Sequence, residues 1–344
     1  MVDHNRVDYR SIAKAATKSD GINRKTDDNV HLQLDADFAC YQAANIEQSI
    51  KENCSRLHSI INYERKLAGA GVVNVHTTLG LKGGRTEIAT VKPYQDDRKK
   101  HRDPARKARV DELRSYLSTY ETERTKPFPW TLQEADDGMI QTQNKRVAEF
   151  GIDSSIIRSD DKDLWMGMGK HIKSSGEIYI VDGYGSTRYE EVGNKEPKLV
   201  GKGTSWFWHQ MLMGDGADTI PGLPKINVAL ANEFFPTKKR NPKRKPLLCG
   251  EGKAYEIMKS ANDDASACRL VREFYHGYYE GNADEMFIEQ AFLLWMRRDT
   301  SLNDVLNFLR EECGWVGAKF SDSQKNRLRV YIEKAKSLQD GVVA

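Results

Sequence analysis

Residues 30–38, VHLQLDADF, alternate apolar and polar positions up to Leu34 and read as a strand ending at Asp35. Residues 39–69 carry apolar positions at helical spacing and stop at Gly69, so they read as one helix. GVVNVHTT (71–78) is a second strand, and ARVDELRSYLSTYETER (108–124) is helical. PFPW (127–130) is an extended break. TLQEADDGMIQTQNKRVAEFG (131–151) follows as a helix that Thr131 can cap and Gly151 can end. DSSIIRS (153–159) is a third strand running into DDKDLWMGM, and residues 176–193 have the pattern of a hairpin.

Strand and helix thus alternate through roughly the first 170 residues, which predicts an α/β fold with a mainly parallel sheet. From Ser205 the pattern turns helical. Residues 206–235 read as two helices around a Gly/Pro hairpin, and 264–281, 283–299 and 326–339 as further helices. The expected divisions are a polar extension (1–29), an α/β unit (30–204), a helical region (205–300) and a helical tail (301–344). Residues 80–110 are glycine-rich and then basic, with no core face.

Composition narrows the class. The chain of 344 residues is 39% hydrophobic and 30% charged, as a globular protein is, and long enough for a large core. Apolar runs such as AFLLWM (291–296) are far too short to span a bilayer, and the first residues contain no apolar signal core. Five scattered cysteines without a CxxC pair argue against a disulfide framework or a zinc site, so a reducing cytoplasm is expected.

The net charge of +3 says little, but its distribution says more. RKKHRDPARKAR (98–109) holds seven Lys/Arg against one Asp, and KKRNPKRK (238–245) holds six in eight. Either block alone is equally a solvated loop. Beside tight groups of acids, they suggest a polyanion held near metal ions.

The acids are Asp35 at the first strand's end, Glu134, Asp136 and Asp137 at a helix start, Asp161 and Asp163 after the third strand, and Asp215 and Asp218 in GDGAD. Ligands of open α/β sheets sit at the carboxyl ends of strands. Asp161 and Asp163, two apart in extended backbone, are expected to point the same way, and Glu134 and Asp137 to share a helix face. A convergence of these acids requires cations. Mg²⁺ or Mn²⁺ suits carboxylate oxygens, and two such ions can hydrolyse a phosphodiester. Taken singly, EADD is more often a solvated helix face, and DDKD is equally a polar turn. His76, His101, His171 and His209 lack metal-ligand spacing. Trp206 and Trp208 are expected in the core, as is FYHGYYEG (274–281), and GYGSTR (183–188) in a turn.

In order, LDADFACYQ, EADD, SDDKDL and GDGADTIPGLPKI resemble the 5′→3′ exonuclease/flap endonuclease family, and most of all the 5′→3′ exonucleases of short-tailed phages. The resemblance covers roughly residues 31–235. It implies a PIN-like, flap-endonuclease-like domain with a helix-hairpin-helix DNA-binding region. It also implies an enzyme hydrolysing DNA from 5′ ends, at nicks or flaps, with RNA/DNA hybrids and RNA primers as further substrates. Asp35, Glu134, Asp136, Asp137, Asp161, Asp163, Asp215 and Asp218 would hold two divalent ions, and K⁺ would sit at the helical hairpin. The basic stretch would be an arch admitting a single strand, with Tyr94 on the end nucleotide and Arg98 on the scissile phosphate. Gln95, Lys99, Lys100 and Arg102 would line the arch. Gly222, Lys225, Asn227, Lys238, Lys239 and Arg240 would grip duplex backbone. A monomer working with replication proteins is the implied setting.

Three positions depart from the family pattern. Thr77 or Thr78 stands where the second strand ends in Asp, Gln95 where the arch has Lys, and Lys225-Ile226-Asn227 where the hairpin turns on G-x-G. These changes leave a second reading, a structure-specific DNA-binding protein with weakened catalysis. A third is an RNA nuclease of the related PIN class, against which the duplex-binding hairpin argues.

Overall fold

A computed structural model describes residues 24–96, 103–192, 195–235 and 247–342. Arg98, Lys99, Lys100, Arg102, Lys238, Lys239 and Arg240, with His101, lie outside the described residues.

The chain begins with β1 (Asp27–Asp35), α1 (Ala36–Ala43), α2 (Ile50–Ala68) and β2 (Ala70–Thr78). The single helix expected over 39–69 is two. Ser49 and Glu52 form a reciprocal capping box that starts α2, and Asn53 donates to the carbonyls of Asn45 and Ser49. Gly69 ends α2 in the left-handed region, as expected.

Next come α3 (Arg85–Ile88), α4 (Pro104–Leu117), β3 (Thr125–Trp130), α5 (Ala135–Phe150), β4 (Ser155–Arg158), β5 (Gly169–Ile172) and β6 (Ile178–Val181). The strands form one sheet in the order β3-β2-β1-β4-β5-β6, parallel except for β6. PFPW is therefore part of an edge strand, where Pro127 and Pro129 cost no ladder bond on the open side. The hairpin expected over 176–193 does not form. Residues 178–181 finish the main sheet, while β7 (Ser186–Val192) pairs with β8 (Lys195–Lys202).

A polar chain ties four strands together inside the sheet. Gln33 donates to Ser155 at 3.0 Å, and its Oε1 accepts from Asn74 at 3.0 Å and from His76 Nε2 at 2.9 Å. Trp130 Nε1–H then donates to His76 Nδ1 at 2.9 Å. An indole N–H only donates, so Nδ1 must accept and the imidazole is neutral. Burial agrees, lowering the His76 pKa to about 3.

The rest is mainly helical: α6 (Thr204–Met213), β9 (Lys225–Ile226), α7 (Val228–Phe234), β10 (Leu247–Leu248), α8 (Glu251–Met258), α9 (Asp264–Tyr279), α10 (Ala283–Leu294), α11 (Asp304–Glu311) and α12 (Asp322–Val342). One apolar core, around Leu32, Val73, Val75 and Leu113, joins the sheet to α1, α2 and α4. Another, around Trp206, Trp208, Phe274 and Phe287, holds the helices together. Both tryptophans are thus core residues, as expected. No helix among the described residues is long and apolar enough to cross a membrane.

Candidate active site

A cleft of about 820 Å³ opens over the carboxyl ends of β1 and β2. Asp35, Asp136 and Asp161 line it, with Asp37, Thr78, Tyr94, Gln95 and Glu134. Lys82, Lys107 and Arg114 bring positive charge to the same space.

Asp35 ends β1 and caps α1, accepting from the Phe38 N–H at 3.0 Å; Ser159 donates to its other oxygen at 3.1 Å. Burial, then Asp37 and Asp161, raise its pKa to about 6. Asp136 takes no hydrogen bond or ion pair among the described residues. Burial pushes its carboxyl well above the usual range, and Asp35, Asp161, Glu134 and Asp37 add repulsion. Asp161 begins a tight turn, accepting from the Asp163 N–H at 2.9 Å. That turn corrects the expectation that Asp161 and Asp163 point the same way: only Asp161 lines the cleft.

Asp163 faces the helices instead. It accepts from Gln210 at 2.7 Å, Lys162 at 3.0 Å and Trp206 at 3.3 Å. Burial and Asp161 raise its pKa to about 7 against the pull of Lys162. Asp215 accepts from Lys162 at 3.0 Å and from the Ala217 N–H at 2.9 Å. Burial disfavours its charge, but Lys162 holds its carboxyl below the usual range.

The helix that begins EADD splits its acids three ways. Glu134 is the N-cap residue of α5 and is saturated by protein donors: Lys82 at 3.1 Å, Arg85 at 3.0 Å, Tyr94 at 2.8 Å and Gln95 at 3.1 Å. Burial alone would raise its pKa, but Lys82 and Arg85 bring it down to about 2. Asp137 is fully buried and grips Arg85 at 2.7 and 2.9 Å, outside the cleft. Glu134 and Asp137 do share a face, and Arg85 occupies it. Arg85 also donates to the carbonyls of Leu293 and Trp295, orphan acceptors at the end of α10.

Tyr94 reaches the cleft wall but is 6% exposed, with its hydroxyl on Glu134 and on Asp218 at 3.1 Å. Gln95 bridges the same two acids, reaching Asp218 at 3.2 Å from a left-handed backbone (φ 57°). Phe38, 40% exposed, is more open than Tyr41 and Tyr94, the other aromatics on the cleft wall.

The hairpin places Gly222, Asn227 and Lys225, three residues expected to grip duplex backbone, in different surroundings. The Gly222 N–H donates inward to Gln290 at 3.0 Å. Asn227 is not left-handed (φ −57°); it caps α7 by accepting from the Ala229 N–H at 2.8 Å and donates to the Gly277 carbonyl. Helix α7 begins at Val228, after Ile226 has paired with Leu247. Lys225 is exposed.

Thr78 has a structural role of its own. Its hydroxyl accepts from the Ala135 N–H at 2.9 Å and fixes the start of α5, while its N–H donates to Asp37 at 3.2 Å. Thr77 is buried. Asp37 is further held by Arg114 at 2.8 Å. Sequence reasoning passed over Asp37, though its place two residues beyond Asp35 was the available signal. Arg85, Lys82 and Lys162 carried none, because lone cations in polar segments read as surface.

As they stand, no three His, Cys, Asp or Glu side chains among the described residues close around one point as a metal cage. The eight acids therefore do not converge as expected. The oxygen-only set Asp35, Asp136 and Asp161 nonetheless suits a hard divalent ion. Asp136 has no other partner among the described residues, and Mg²⁺ keeps several waters while using one or two carboxylates.

No family model and no curated protein matches the chain. Solved structures do. The T5 5′-exonuclease with bound zinc matches with a TM-score of 0.51 at 13% identity, over 88% of this chain and 98% of that one. The chain shares the fold of that 5′-exonuclease. The bacteriophage T5 flap endonuclease in complex with DNA and metal ions matches at 14% identity, covering 89% and 99%, with a TM-score of 0.49. The catalytic core of Rad2 with a DNA substrate follows at 13% identity, covering 88% and 93%, with a TM-score of 0.33. The mainly parallel α/β fold implied by the sequence resemblance is the observed one, and it is that of the 5′-exonuclease.

Proposed function

We propose that the chain is a divalent-metal-dependent 5′→3′ exonuclease of DNA, with flap cleavage and removal of RNA primers as activities of the same cleft. One observation carries this reading: the unpartnered carboxylate of Asp136 faces the cleft beside Asp35 and Asp161, with Lys107 and Arg114 among its other lining residues. The zinc-bound T5 5′-exonuclease, which has this fold, supports it.

Asp35, Asp136 and Asp161 would hold the ion, which when bound supplies an activated water and stabilises the departing 3′ oxygen. Ser159 and the Phe38 N–H fix the Asp35 carboxylate. Thr78 fixes the start of α5 and so the place of Asp136. Lys107 and Arg114 meet the incoming phosphates, and Phe38 offers a face to the terminal base. Contacts of this kind read backbone and ring faces, which suits DNA 5′ ends, nicks, flaps and RNA/DNA hybrids alike.

A second reading, structure-specific DNA binding without cleavage, is favoured by Glu134, whose oxygens are all taken by protein donors. Cleavage of 5′- and 3′-labelled duplex and flap DNA in Mg²⁺, Mn²⁺ or EDTA separates the two. Metal-dependent loss from 5′ ends supports the nuclease. Tight junction binding with no cleavage in either metal supports the binding protein.

A further inference from the structure

We infer that Lys162 is a resident counter-cation of the second acid group, so that the folded chain holds one divalent ion tightly where its sequence provides acids for two. The inference rests on the reading of the cleft as a divalent-ion site, and it concerns the acids which that reading leaves over.

The two acid groups differ in what neutralises them. On the cleft side, Asp136 has no donor among the described residues. On the helical side, the Lys162 ammonium lies 3.0 Å from Asp163 and 3.0 Å from Asp215. Gln210 and Trp206 add N–H donors to Asp163, and the Ala217 N–H occupies the other oxygen of Asp215. The ammonium also lies 5.5 Å from the Trp206 ring centroid, a favourable position for a cation.

The geometry of the turn makes this arrangement. Asp161 starts the tight turn Lys162–Met166, which sends Asp161 to the cleft and Asp163 toward α6. Lys162, between them in sequence, reaches across to Asp215. A divalent ion entering there must displace an ammonium that already holds two carboxylates, and must strip two N–H donors from Asp163. At the cleft side no ammonium stands in its way among the described residues: Asp35 accepts from the Phe38 N–H and from Ser159, Asp161 accepts from the Asp163 N–H, and Asp136 holds no donor. The ion's affinity at the second place is lowered accordingly.

The test is Mn²⁺ binding to the full chain, counted by calorimetry and by the loss of free-Mn²⁺ electron paramagnetic resonance signal. The forms compared are wild type, Lys162→Met, Lys162→Gln and Asp163→Asn, with Asp136→Asn as the cleft control and circular dichroism checking that each is folded. The expected result is one tight ion in wild type, retained in Asp163→Asn and lost in Asp136→Asn. Whichever Lys162 variant folds should gain a second ion, or bind it at least tenfold more tightly. Two ions on wild type with affinities unaltered by removing Lys162 would overturn the inference and leave the cleft reading standing, as would loss of the tight ion in Asp163→Asn. No Mn²⁺ bound by any form, or binding indifferent to Asp136→Asn, would overturn the cleft reading and the inference with it.

Discussion

Arg85 holds Asp137 through both ends of its guanidinium, at 2.7 and 2.9 Å, with both side chains almost wholly out of solvent. Breaking a buried pair by removing one partner costs roughly 3–5 kcal/mol, because the other charge is left uncompensated. Asp137→Ala is therefore expected to lower stability on that scale in urea unfolding. A loss below about 1 kcal/mol would show that Asp137 is not the anchor of α5.

Asp136, one residue earlier, should behave in the opposite way. Asp136→Asn removes a charge that its neighbours repel, so the folded protein should be as stable or more stable. Cleavage should fall by more than the roughly 10–100-fold that outer-shell changes cost, with DNA binding kept. Turnover equal to wild type on labelled 5′ ends would remove Asp136 from the site.

Gly138 follows in the same helix. A Cβ there would lie 2.0 Å from the Trp130 indole, whose N–H is fixed on His76. Gly138→Ala should destabilise by about 1–3 kcal/mol through overpacking and shift the start of α5. A crystal structure of the variant with Asp136 and Trp130 unmoved would contradict this.

His76 sets a pH dependence. Its folded pKa, about 3, lies below the ordinary 6.5, so between these values the unfolded chain binds the extra proton. Its contribution to stability is complete above about pH 6.5 and is lost as pH falls toward 3. Relative to His76→Gln, wild type should lose stability between pH 7 and pH 5. Parallel stability–pH curves for the two would mean that His76 does not titrate on unfolding.

Phe38 is 40% exposed on the cleft wall, where Tyr94 is buried. Phe38→Ala should weaken capture of DNA 5′ ends by roughly 1–3 kcal/mol, the scale of one base–aromatic stack. Tyr94→Phe keeps the ring and removes the hydroxyl from Glu134 and Asp218, so binding of ends should be nearly unchanged. Equal end-binding affinities for Phe38→Ala and wild type, measured by fluorescence anisotropy, would rule out the stacking role.

What was legible in the sequence follows from what is local. The strands at Asp35 and Thr78 and the helix end at Gly69 are written in short-range periodicity and backbone preference, and they are where they were expected. The strand Thr125–Trp130 was hidden by its two prolines, whose tolerance depends on lying at a sheet edge, a property of the whole topology. The same limit holds in the site. Asp35 could be placed because it ends a strand. Asp163 and Asp137 could not, because their directions depend on a tight turn and on an arginine distant in sequence. Whether a carboxylate meets a lysine, an arginine or open water is settled by tertiary partners alone.

The hydroxyl of Tyr331 in α12 donates to the carbonyl of Leu132, a partner 199 residues earlier, in the loop leading to the acids of α5. During synthesis that loop is made long before the residue that braces it. The sheet and its apolar core can form while the chain is still being extended. The loop gains this brace only once α12 has been made, so full ordering of the cleft's rim is a late event in the life of each new molecule.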